Sequence, residues 1–180
     1  VPGSDLTFYK LSQSNNFYLP LDDNQNWVLR ARSKIGYGDG YNGRSVIPFY
    51  EHFFAGGFGS VRGYEANSLG PRAEPADGDF SDPDPFGGSF LTEAGLELIV
   101  PTPFAGDSRS MRTAFFVDAG QVFDPDRAFS WTLDEVRTSV GLGFQWITAV
   151  GPLAFSVAKP LNDVSSDKTQ VFQFSLGQSF

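Results

Sequence analysis

Along much of this chain apolar and polar residues alternate with a period of two, the repeat of an extended strand whose successive side chains point to opposite faces. Residues 135–148 set Val136, Thr138, Val140, Leu142, Phe144 and Trp146 against Arg137, Ser139, Gly141, Gly143 and Gln145. Residues 151–160 set Leu153, Phe155 and Val157 against Ala154, Ser156 and Ala158. In 169–180, Phe172, Phe174, Leu176 and Phe180 oppose Gln173, Ser175, Gly177 and Ser179. In 26–38, Trp27, Leu29, Ala31 and Ile35 oppose Arg30, Arg32 and Lys34. Segments 6–20, 89–101 and 111–123 bring the predicted strands to seven, with 6–20 the weakest pattern.

One face of each strand is thus apolar and the other small, polar or charged. A soluble sandwich would alternate too, so strand length and loop asymmetry decide. Most segments run to about 10–14 residues, whereas strands of globular proteins run to about 5–6 and a tilted membrane-crossing strand needs about 9–11. Aromatics gather near strand ends (Trp27, Tyr37, Phe90, Phe123, Trp146 and Phe180), as interfacial girdles do. The AVGP connection at 149–152 is tight, whereas 39–88 is a long loop. These features predict an all-β fold, an antiparallel transmembrane β-barrel. Bacterial single-chain barrels have an even number of strands, and open edges are not tolerated in hydrocarbon. Residues 1–180 therefore read as the C-terminal part of one larger barrel domain, with its first strands elsewhere. The opening VPGSD, a turn without an initiating Met, carries the same expectation of a segment from a longer protein.

Composition narrows the classes. There is no cysteine, which excludes disulfides and thiolate metal sites. Nineteen of the residues are Phe, yet no run approaches the ~18 apolar residues of a spanning helix. The net charge of −8 argues against a nucleic-acid partner, which calls for a basic face.

The long loop carries GGFGSVRGYEANSLGPR at 56–72, with one arginine framed by Val61, Gly63 and Tyr64. The VRGY at 61–64 resembles the signature of the Omp85 superfamily. Other segments resemble that superfamily in order along the chain: GLELIVPTP at 95–103, FFVDAGQVFD at 115–124, GLGFQWITAVGPLAFSVAKPLN at 141–162 and the ending VFQFSLGQSF. The last two are most similar to its outer-membrane assembly branch. Thr148-Ala149 replaces a common Ser-Pro, and Phe180 stands where Trp is also common. The resemblance implies a barrel of about sixteen strands, of which this chain would hold about seven. The remaining strands and the periplasmic POTRA domains would lie outside it.

In the superfamily the motif loop folds into the barrel lumen and its arginine meets acidic residues on the inner wall. Parity tests this independently. Thr113, Phe115 and Val117 share the apolar face of their strand, which turns Asp118 to the lumen; Ala94, Leu96, Leu98 and Val100 likewise turn Glu93 and Glu97 inward. Arg62 is therefore expected to lock the loop onto Glu97 and Asp118 through its planar fork, with Val61, Gly63 and Tyr64 framing it. Gly177 interrupts the last strand and permits a kink, or simply makes room in the lumen. The resemblance makes residues 169–180, with Phe172, Phe174, Gly177 and Phe180, one side of a weak seam between last and first strands.

No catalytic, cofactor or metal site is expected. Asp77, Asp79, Asp82 and Asp84 lie in a Pro-interrupted stretch without the terminal Glu of a calcium loop. His52 is the only histidine, and no G-x-S-x-G is present. The resemblance implies an outer-membrane assembly and insertion component of Gram-negative bacteria, not an enzyme. Its partners would be the outer-membrane lipid bilayer, nascent β-barrel proteins and the assembly complex's lipoproteins. Alternatives are a secretion or translocation pore of the TamA or two-partner type, a passive porin, or a soluble β-sandwich adhesion module.

Overall fold

A computed structural model describes residues 7–41, 47–73, 83–103, 110–125, 133–149 and 151–177. The strands are β1 (Phe8–Pro20), β2 (Val28–Gly40), β3 (Gly63–Tyr64), β4 (Phe90–Pro101), β5 (Met111–Phe123), β6 (Arg137–Thr148), β7 (Gly151–Pro160), β8 (Thr169–Gln170) and β9 (Phe172–Leu176). Short 3-10 turns form at Phe49–Glu51 and Leu133–Glu135. Seven strands make one antiparallel meander in the order β1-β2-β4-β5-β6-β7-β9, and β3 pairs with β8 in a separate two-stranded ribbon. Among the described residues nothing pairs β1 with β9, so the meander keeps two edges.

The sheet is apolar on its open face and polar on its covered one. Leu96, Phe115, Val117, Leu142, Val157, Phe172 and Phe174 are exposed, while Glu93, Glu97, Asp118, Ser139, Ser156 and Gln173 are buried. A water-soluble sandwich buries its apolar face; the reverse arrangement suits hydrocarbon outside and packed polar groups inside. This is part of a transmembrane β-barrel wall. Three of the expected girdle aromatics, Trp27, Tyr37 and Trp146, are exposed. Phe123 is instead buried and stacks on Phe90 at 5.8 Å between ring centroids. Val100 is buried too, despite its outward parity.

Two strands depart most from their predicted bounds, and β6 also starts later, at Arg137, because Leu133–Glu135 form a 3-10 turn. β2 begins at Val28 and runs on to Gly40, because β1 continues to pair with it as far as Phe8–Gly40. The last predicted strand is divided. Its residues 172–176 pair with β7, whereas Thr169 and Gln170 turn inward and pair with Tyr64 and Gly63. The exposed Val171 marks the bend, and its carbonyl still accepts from Ala158 N at 2.9 Å. The alternation that predicts a strand cannot show that its first residues change partner.

Candidate functional site

The inner wall where the motif loop docks is built from registered rows across β2, β4, β5 and β6. One row is Arg30, Glu97, Phe116 and Gly141; the next is Arg32, Gly95, Asp118 and Ser139; a third is Lys34, Glu93, Gly120 and Arg137. In each row a glycine leaves a gap into which larger neighbours lean. A methyl group on Gly95 would lie 2.6 Å from Arg32 Nε and 2.7 Å from Asp118 Oδ1, so glycine there lets Arg32 reach across β4. A methyl group on Gly120 would lie 2.8 Å from Val61 Cγ2, and one on Gly141 would lie 2.6 Å from Phe116 Cζ.

The loop is no floppy surface excursion. It carries its own apolar core, in which Phe53, Ala55, Val61, Tyr64 and Leu69 pack with Leu91 of β4 and Val122 of β5. Phe53 fills the space above Gly36 of β2, where a methyl group would come within 2.6 Å of its ring, and Lys10 Nζ sits 4.5 Å from that ring's centroid. Gly56, Gly57 and Gly63 have positive φ, at 103°, 96° and 92°. That backbone strongly favours glycine and explains the residues around the motif.

Arg62 is 1% exposed and sits at the centre. Its Nε donates to Asp118 Oδ2 at 2.7 Å and its Nη2 to Asp118 Oδ1 at 3.0 Å, a two-pronged fork on one carboxylate. Nη2 is also 2.5 Å from Glu97 Oε1. The backbone N–H of Arg62 donates to Asp118 Oδ2 at 3.2 Å, and its guanidinium carbon lies 3.4 Å from the Phe116 ring centroid. Burial alone would lower the guanidinium's pKa. The bonds to Asp118 and the charges of Asp118 and Glu97 outweigh it and raise the pKa, which keeps Arg62 charged.

The structure brings Arg62, Glu97 and Asp118 together, with Val61, Gly63 and Tyr64 packed around them. It adds two arginines that sequence reasoning placed on this face but left out of the site. Arg32 Nη2 is 2.8 Å from Asp118 Oδ1, and Arg30 Nη1 is 2.9 Å from Glu97 Oε2. Arg32 also donates to the Ser60 carbonyl, and Ser60 Oγ donates to Glu93. Three arginines thus meet two carboxylates, and Ser60 ties Glu93 to the same loop. The signal for Arg30 and Arg32 was their inward parity opposite the β4 glutamates. The signal for the loop's apolar seat was Leu91, Phe116 and Val122, apolar residues at inward parity.

Tyr64 lies on the other side of the motif, fully buried. Its hydroxyl is 3.3 Å from the Thr138 carbonyl, and its own carbonyl accepts from Gln173 Nε2 at 2.6 Å. Burial first, then the nearby Asp167, push its phenol up to about 12.

The expected seam residues stand apart from this cluster. Phe172 and Phe174 face outward on β9. Gly177 follows the strand with φ +87° and donates its N–H to the Pro152 carbonyl at 2.8 Å. No atom of the described residues would touch a methyl group there, so its backbone angle, rather than lumen space, calls for glycine. Phe180 lies outside the described residues, as do Asp77, Asp79 and Asp82. His52 is held by structure: its Nδ1 is 3.0 Å from the Phe86 carbonyl and its ring sits edge-on to Phe86 at 4.9 Å.

Comparison with known proteins agrees with this wall. The Omp85 superfamily domain matches residues 1–180. The outer membrane protein assembly factor BamA of Neisseria meningitidis serogroup B is 33% identical over 202 aligned positions, covering 100% of this chain and 25% of that protein. The sorting and assembly machinery component 50 homolog of Homo sapiens is 36% identical over 76 positions, covering 40% of this chain and 14% of its own length. A crystal structure of BamA from Haemophilus ducreyi lacking POTRA domains 1–3 superposes with a TM-score of 0.84 at 37% identity, over 97% of this chain and 35% of that one. The chain thus spans about a quarter of the length of the Neisseria relative.

Proposed function

The chain belongs to the Omp85 superfamily, and from that premise we propose that it is the C-terminal barrel segment of a BamA-like factor that inserts β-barrel proteins into the bacterial outer membrane. The observation that carries this reading is the likeness of the whole chain to BamA in both sequence and fold. The work needs no covalent chemistry and no cofactor. An insertion factor lowers a folding barrier by presenting unpaired strand edges that template an incoming strand and by disturbing the bilayer beside them. Here the edge belongs to β9, whose Phe172 and Phe174 face lipid.

Within that machine the motif loop is a structural lock. Arg62 seats the loop on Asp118 and Glu97, and Arg32 and Arg30 steady the same carboxylates. An inward lock of this kind supports an Omp85-type barrel over a passive porin, whose lumen would stay open for solutes. The partners are the outer-membrane bilayer, nascent β-barrel proteins and the lipoproteins of an assembly complex. The remaining strands, bringing the barrel to about sixteen, and the POTRA domains belong to the full-length protein.

The test is client insertion by the full-length protein reconstituted in lipid vesicles. Insertion of an unfolded β-barrel client should run well above that of empty vesicles and should depend on Arg62. A protein that conducts ions or exports a passenger while leaving client insertion at the empty-vesicle rate would point to a secretion pore.

A further inference from the structure

The motif loop also holds the last described strand. β9 is joined to β7 through five residue pairs, from Val157–Phe172 to Leu153–Leu176, where β6 and β7 share ten. Its other edge has no strand partner among the described residues. Val171 and Gly177 add one backbone bond each to β7 on either side of those pairs, and further attachments run inward, to the loop. Gln173, 4% exposed, donates Nε2 to the Tyr64 carbonyl at 2.6 Å. β8 pairs with β3 just upstream, and Glu65 N continues that ladder to the Lys168 carbonyl at 2.8 Å. Arg72 Nη2 donates to the Ser166 carbonyl at 2.8 Å.

The connection that carries these bonds is itself pinned to β6. Arg137 Nε is 2.5 Å from Asp167 Oδ2, with both side chains nearly buried. Asp167 Oδ2 accepts from Val164 N at 2.9 Å, and Asn162 Oδ1 accepts from Thr138 N at 2.8 Å. A short strand on a sheet edge opens readily, and here a buried carboxamide ties it to the backbone of a loop whose own seat is Arg62.

We propose that Gln173, with the Arg137–Asp167 pair behind it, is a positioning residue that couples the last strand to the motif loop, so that β9 stays on β7 while Arg62 is seated and is released when the loop undocks. The inference rests on the inward-docked loop and not on the assembly role, so its failure would leave that reading standing.

Hydrogen–deuterium exchange of the full-length protein in lipid nanodiscs tests it. Arg62→Ala touches no residue of β9, yet it should speed exchange across 172–176 about tenfold, the scale of one lost buried hydrogen bond. Gln173→Ala should do the same alone and add little on top of Arg62→Ala. A residue that merely packs locally would give the same increment in both backgrounds, and that result overturns the proposal. So does faster exchange in 56–72 with 172–176 unchanged. Should Arg62→Ala fail to fold, Glu65→Cys with Lys168→Cys in a cysteine-free background supplies a second arm. Closing that disulfide should suppress the effect of Gln173→Ala and reduction should restore it; an effect of Gln173→Ala indifferent to the disulfide contradicts the coupling.

Discussion

Arg62→Ala removes the centre of the ion-pair cluster, and the structure sets the scale of the effect. Breaking a buried ion pair by deleting one partner costs about 3–5 kcal/mol when the other charge is left alone. Here neither carboxylate is left alone: Asp118 keeps Arg32 at 2.8 Å and Glu97 keeps Arg30 at 2.9 Å. The loss should therefore fall near about 3 kcal/mol, including the stacking of the guanidinium on Phe116. Asp118→Asn should cost clearly less in this background than in the wild type, because its two-pronged partner is gone and only the bridge to Arg32 is left to lose. The double-mutant coupling between Arg62 and Asp118 should be about 1.5–3 kcal/mol. The assay is denaturant unfolding of the full-length protein in detergent micelles, followed by heat-modifiable gel mobility. A coupling under about 0.5 kcal/mol, the level of independent sites, would refute the lock. Charge reversal is a poorer probe. Arg62→Glu with Asp118→Arg should not recover wild-type stability, since the new arginine faces Arg32 and the new glutamate faces Glu97.

Further expectations follow from the same geometry. Gly95→Ala should break the Arg32–Asp118 bridge by sterics alone, lowering the unfolding midpoint, and Arg32→Ala should relieve part of that penalty. Phe53→Ala should cost about 3–5 kcal/mol of loop docking and expose 47–73 to limited proteolysis while β4 and β5 stay intact. Because the folded state holds Tyr64 neutral, with its phenol up to about 12, the stability it carries is full below about pH 10 and declines as pH rises towards 12; Tyr64→Phe should flatten the unfolding midpoint across that window. Leu142→Arg, on the lipid face, should destabilise the barrel by up to about 2–4 kcal/mol, depending on its depth in the bilayer, measured by the folded fraction after refolding into vesicles.

The wall itself was legible in the sequence, since an alternation of period two fixes which side chains share a face. β5 and β7 run where their patterns place them, and Asp118 and Glu97 face the loop as their parity requires. Less legible was everything that depends on distance in sequence. Arg32 reaches Asp118 only because residue 95, on the strand between them, is glycine, and no local pattern reports that. The apolar seat of the loop has no period at all: Phe53, Ala55 and Leu69 are scattered in a polar segment and gain meaning only opposite Leu91 and Val122. The alternation of the last strand breaks at its start, where Gln170 falls on the apolar face and Val171 on the polar one, and Thr169 and Gln170 turn inward to pair with the motif loop. Pattern identifies a strand; it does not choose between two available edges.

The most direct test of the whole account is the rate at which the full-length protein, reconstituted at equal density in lipid vesicles, inserts an unfolded β-barrel client. The comparison is between wild type and Arg62→Ala, with gel mobility establishing that both barrels are themselves inserted. The account predicts rapid insertion by the wild type and a rate reduced about tenfold or more by the variant, in proportion to its lost docking free energy. Equal rates from two correctly inserted barrels would contradict it, separating the buried Arg62 cluster from the work of assembly.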